Sequence, residues 1–118
     1  MKIFKYFRIK IIILFIFLIL PAKSDSLFDN GKDIFLNKGA CSSCHILSDA
    51  NSNGQIGPNL NQIRPDKNRV IIAVTYGIGV MPAYDGQLSV EEIEAVAHYV
   101  SESVNWFCYT QALQILIK

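Results

Sequence analysis

Cys41 and Cys44 are separated by Ser42 and Ser43 and followed directly by His45. Thiols at this spacing can each form a thioether to one vinyl group of a porphyrin, and the adjoining imidazole is then held beneath the iron. C-x-x-C-H is therefore the attachment signature of a c-type haem. A structural disulfide, a zinc half-site and a thioredoxin-like redox pair also use two cysteines, the last two commonly at this spacing. Zinc takes about four protein ligands, yet His98 and Cys108 are the only other His or Cys residues, and neither belongs to a second paired motif. A thioredoxin-like pair follows a strand and opens a helix, whereas the segment before Cys41 reads as a helix ending at Gly39. Haem attachment is the leading reading of these five residues.

An iron with one imidazole needs a sixth ligand. Met81, the only methionine after Met1, lies in the loop Gly77-Ile78-Gly79-Val80-Met81-Pro82, and thioether sulfur is a soft neutral donor suited to haem iron. A lone loop methionine is otherwise a core filler. The rival is His98, but Glu94 and Glu102 share its helical face, away from Ile93, Val96 and Val100; Met81 is preferred. Gly57-Pro58-Asn59-Leu60 lies between the two candidate ligands. By itself a Gly-Pro pair is a turn, but in this position the Pro58 carbonyl can accept the Nδ1 proton of His45 and orient the ring, as carbonyl partners of metal-bound histidines do.

The elements that must position these groups read as helices. Leu27–Lys38 is a short helix with Gly39 at its C′ position. Gly31 inside it marks either a close crossing with another element or, with Asn30, a turn that delays the helix to Lys32. Ile46–Gln62 is dense in turn formers and reads as loop. Asp66–Gly77 is a second helix, with Asp66 as cap and Val70, Ile71 and Val74 as its apolar face. Leu88–Ser103 carries the strongest helix signal: Ser89 and Glu92 form a capping box, Leu88 and Ile93 a hydrophobic staple, and its apolar face sets Tyr99 near Gly31. Strand and hairpin signals are absent.

The ends of the chain differ from its middle. Basic Met1–Lys10, the apolar run Ile11–Leu20 and Pro21–Ser24 form the pattern of a secretory signal peptide over residues 1–24, cleaved before Asp25 or retained as an anchor. Five of the 11 basic residues lie in this leader, leaving six against ten acids from Asp25 onward, a formal charge of −4. That balance disfavours nucleic acid, whose phosphates require a basic surface. A domain over residues 25–103 is small enough to lean on a cofactor for its apolar core. Residues 104–118 form an apolar tail that either folds back on the domain or docks to a membrane subunit or bilayer surface. Within it Cys108 has no obvious partner.

Taken together, Gly31 and Phe35, Cys41-Ser42-Ser43-Cys44-His45, Gly57–Leu60, Gly77–Pro82 and the Leu88–Val100 helix resemble, in order, a class I monohaem cytochrome c. Val74–Val100, with Met81-Pro82-Ala83-Tyr84 and Leu88-Ser89, is similar to small bacterial and photosynthetic members of the c6 type. The resemblance implies an all-α cytochrome c fold, three to four short helices wrapped around one covalently bound haem c. It implies Cys41 and Cys44 as anchors, His45 and Met81 as iron ligands, and the Pro58 carbonyl as acceptor for His45, with Asn59, Leu60, Tyr76 and Pro82 lining the crevice. The implied function is periplasmic one-electron transfer, not enzymatic turnover, with membrane or periplasmic reductases and oxidases as redox partners. The alternatives are a haem c subunit of a periplasmic oxidoreductase complex, or a haem enzyme or gas sensor with a labile methionine ligand.

Overall fold

The computed structural model of the protein describes residues 25–116, with side chains through Trp106. The expected leader, and the side chains of the tail beyond Trp106 with Cys108 among them, lie outside the described residues.

Helix α1 (Ser26–Asp33) starts at Asp25, whose side chain accepts a hydrogen bond from Leu27 N. The turn reading of Asn30-Gly31 is thereby excluded, since both lie within the helix. The chain continues without a break into a π-helical turn, Ile34–Lys38, closed by Gly39 N donating to Ile34 O at 2.7 Å. Gly39 is not left-handed, as a C′ glycine would be: its φ is −85°, and Ala40 takes the left-handed conformation with φ 48°. Space explains the glycine, because a Cβ there would sit 3.0 Å from both Ile34 O and Cys41 Sγ.

The stretch read as loop contains more structure than expected. Strands β1 (Ile46–Leu47) and β2 (Ser52–Asn53) pair antiparallel around the 3₁₀ turn Ser48–Ala50. Two-residue strands have no periodicity to detect. What closes this hairpin is buried Ser52, whose hydroxyl accepts from Leu47 N at 3.0 Å and donates to Leu47 O at 3.3 Å. A one-turn helix, α2 (Leu60–Ile63), comes next, with Asn59 as its cap.

Helix α3 (Lys67–Tyr76) matches expectation: Asp66 caps it through Arg69 N, Val70 and Val74 are buried, and Gly77 ends it with φ 71°. Helix α4 (Val90–Leu116) has the capping box, with Ser89 N donating to Glu92 Oε2 at 2.9 Å and Glu92 N to Ser89 Oγ at 3.2 Å. It does not stop at Ser103. No glycine or proline intervenes before Leu116, Ser103 Oγ donates back to Tyr99 O at 2.6 Å, and buried Val104 extends the apolar seam. Serine satisfied inside the turn does not break a helix. Among the described residues no helix is long and apolar enough to cross a membrane.

The core forms where α1 and the π-turn cross α4, with α3 also packed on α4. At the crossing a Cβ on Gly31 would overlap the Ala95 carbonyl and lie 2.6 Å from Tyr99 Cβ. Phe28 and Phe35 set their rings edge-on to buried Tyr99, at centroid distances of 4.9 and 5.7 Å. Aromatic pairs favour this geometry because ring edges are positive and faces negative. Gly31→Ala is expected to cost about 1–3 kcal/mol by forcing the backbones apart, read as a lower urea midpoint for the holoprotein. An unchanged midpoint would mean that the crossing can relax.

Candidate functional site

The cysteines and histidine occupy a tight turn. A 3₁₀ turn, Cys41–Ser43, forms after Ala40, whose carbonyl accepts from Ser43 N and Oγ at 3.1 and 2.7 Å. Cys41 O then accepts from Cys44 N and His45 N at 3.1 and 3.0 Å. The backbone of this pentapeptide is thus largely self-bonded, and His45 at its end is buried.

After the hairpin the chain returns to this turn. Gly57 N donates to Cys44 O at 2.8 Å, and Pro58 O lies 3.0 Å from His45 Nδ1. A Cβ on Gly57 would come within 2.5 Å of the ring's Cε1 and 2.7 Å of Nδ1, and one on Gly54 within 2.5 Å of the Cys44 backbone. Both glycines therefore allow a close approach that no side chain would permit. With the Pro58 carbonyl as acceptor, the imidazole carries its proton on Nδ1, leaving the Nε2 lone pair for a metal.

Met81 ends a tight turn in which Ile78 and Met81 exchange backbone hydrogen bonds of 3.2 and 3.0 Å, and it is partly buried against the core. Tyr84 joins this loop to the cysteine turn. Its amide donates to Val74 O at 2.9 Å and its hydroxyl to Gly39 O at 2.8 Å. Burial, followed by the nearby Cys41 and Cys44, raises the Tyr84 pKa, which keeps the hydroxyl a donor. Sequence reasoning missed Tyr84 as a site residue; the available signal was a phenol three residues beyond Met81. Of the expected lining residues, Leu60 is buried in the core, Asn59 uses its side chain to cap α2, and Tyr76 and Pro82 are exposed.

The competing chemistries are poorly served. Burial, with the neighbouring Cys44 adding to it, pushes the Cys41 thiol up to about 11, opposite to the lowered pKa of a redox-active nucleophile. Among the described residues no three His, Cys, Asp or Glu side chains gather as a metal site. His98 is engaged elsewhere, with Nε2 2.8 Å from Asp25 Oδ2, a contact that lowers the Asp25 pKa. A covalently attached haem fits what remains: two free thiols, an oriented imidazole, and exposed apolar side chains on the segments leading away from His45 and toward Met81. These include Ile56, Ile63, Ile72, Tyr76, Ile78 and Val80.

Known proteins agree. Residues 26–100 match the family model described as "Cytochrome C oxidase, cbb3-type, subunit III". A 31-residue segment is 58% identical to cytochrome c6 of Microcystis aeruginosa, over 26% of this chain and 38% of that protein. The crystal structure of the c-type cytochrome SorU from Sinorhizobium meliloti superposes with a TM-score of 0.65 at 47% identity, covering 69% of this chain and 94% of that one. The chain belongs to the family of that model and is a small class I c-type cytochrome, an all-α protein that binds haem c covalently for electron transfer.

Proposed function

We propose that the protein is a periplasmic one-electron carrier in which Cys41 and Cys44 anchor the haem and His45 and Met81 hold its iron. The observation that carries this reading is the 3.0 Å contact between His45 Nδ1 and Pro58 O, which leaves Nε2 as the ligating atom. The bound haem supplies one iron that alternates between ferrous and ferric states. His45 contributes a ligand of fixed tautomer, made more basic by its carbonyl acceptor. Met81 favours the ferrous state and raises the potential, from a turn that Tyr84 ties to the cysteines. Exposed Ile56, Ile78 and Val80 exclude water around the site and offer reductases and oxidases, membrane-bound or periplasmic, a small apolar face suited to brief docking.

In this reading residues 1–24 export the chain, the cytochrome domain starts at Asp25 and includes buried Val104 of the expected tail, and the rest of that tail contacts a membrane or membrane subunit. A second reading, as the haem c subunit of a periplasmic oxidoreductase complex, is favoured by the continuation of α4 to Leu116 and by exposed Trp106. The family description, which names an oxidase subunit, also favours it. Purification from native membranes distinguishes the two by the presence or absence of a stoichiometric partner.

Expressed with a c-haem maturation system, the protein should show sharp reduced bands and, when oxidised, the weak charge-transfer band of methionine ligation. Met81→Ala should lose that band and bind carbon monoxide without denaturant, as the wild type should not. Carbon monoxide binding by the wild type would instead support the enzyme or sensor reading. Gly57→Ala should displace the imidazole and destabilise the holoprotein by roughly 1–3 kcal/mol, measured by thermal unfolding followed at the haem absorbance.

A further inference from the structure

His45 and Pro58 meet at 3.0 Å although 13 positions apart. The loop between them is tied by the Asn51 N to Ser48 O bond, the β1–β2 register and the Ser52 hydroxyl, and at its end by Gly57 N to Cys44 O. A two-stranded hairpin of this length is marginal alone, and closing such a loop costs conformational entropy. Its tip, the Ser48–Ala50 turn completed by left-handed Asn51 with φ 49°, is held from outside. Asp49 Oδ2 accepts from Tyr99 Oη and from Lys32 Nζ, each at 2.8 Å, and Asp49 O accepts from Lys32 Nζ at 3.0 Å.

Both donors belong to the helix crossing. Lys32 comes directly after Gly31, and Gly31 packs against Tyr99 together with the Ala95 carbonyl. The Tyr99 ring is fully buried; burial first, and then Asp49, raises its pKa, so that the hydroxyl remains a donor. The closely packed helix crossing therefore grips the far end of the ligand loop.

We infer that Asp49 is a positioning residue for His45, fixing the tip of the loop whose two ends supply the imidazole and the carbonyl that orients it. Asp49 does not touch the ring. It restricts the loop, so that the Nδ1–H to Pro58 bond opens less often. The inference rests on His45 as an iron ligand.

The test is exchange of the His45 Nδ1 proton in the ferrous holoprotein, followed by NMR beside the α4 amides of Val96 and Val100. Tyr99→Phe should accelerate that exchange about tenfold, the effect of losing one hydrogen bond. Asp49→Ala, which also loses the Lys32 contact to Oδ2, should do so by at least as much, and both should leave the two amides unchanged. Asp49→Asn, which keeps an acceptor for the Tyr99 hydroxyl, should restore most of the protection. Tyr99→Phe retains the Asp49 charge, so an effect in Asp49→Ala alone would overturn positioning through Tyr99. Equal acceleration of imidazole and amides would reduce Asp49 to a general stabiliser, and unchanged imidazole exchange in all three variants would also overturn the inference. If the wild-type His45 ring protons lack the shift imposed by the macrocycle's ring current, His45 is not the ligand and the ligation reading itself falls.

Discussion

At Gly31 helix α1 lies directly against the backbone of α4, and much of the core packing depends on that contact. Two helices from opposite ends of the domain meet with only a glycine between the Ala95 carbonyl and Tyr99. That contact buries Tyr99, brings Phe28 and Phe35 edge-on to it, and sets the direction in which the π-turn delivers the chain to Cys41. A larger residue at 31 would separate the helices and reduce dispersion contacts along the whole seam, because close-packed interiors transmit such shifts. The His98–Asp25 contact and the Lys38–Glu92 ion pair flank the crossing, but exposed ion pairs contribute little beside apolar burial.

The second constraint is the space around the imidazole. A ligand histidine must hold one ring orientation, and here that orientation depends on a carbonyl arriving from a remote turn. Gly54 and Gly57 allow the returning strand to lie directly on Cys44 and on the ring. Pro58 has no N–H of its own, while its carbonyl faces Nδ1. Tyr84 plays the matching part on the Met81 side, bonding through main chain to α3 and through side chain to Gly39. Each candidate ligand is thus braced by an element other than the one that carries it.

How much of this was legible depended on whether the cause was local. The capping box at Ser89 and Glu92, the Asp66 cap and the Gly77 stop act within a few residues, and each was readable from residue types alone. Gly31 was readable as a crossing because a glycine within a helical pattern is costly without a packing reason. The hairpin was not, because Ser52 closes it through a buried side-chain hydroxyl and a lone serine among turn formers gives no sign of burial. Gly39 misled for a related reason: a helix-ending glycine is ordinarily left-handed, but this one makes room for Cys41 Sγ while Ala40 takes the left-handed conformation. The end of α4 was missed because polarity changes near Ser103 while helix-forming capacity does not.

The end of α4 apart, these cases share a physical pattern that bears on the site. Gly39 and Ser52 sit against the Cys41–His45 turn or on the loop that returns to it, and each serves a contact its neighbours in sequence do not announce. Exposed apolar side chains between Ile56 and Val80 belong to the same class. On sequence alone they look like ordinary loop and helix residues, and in the folded polypeptide they lie open to solvent. A domain of this size buries a limited share of its surface. In a chain that binds haem c covalently, the cofactor supplies apolar area that a polypeptide of this size lacks by itself.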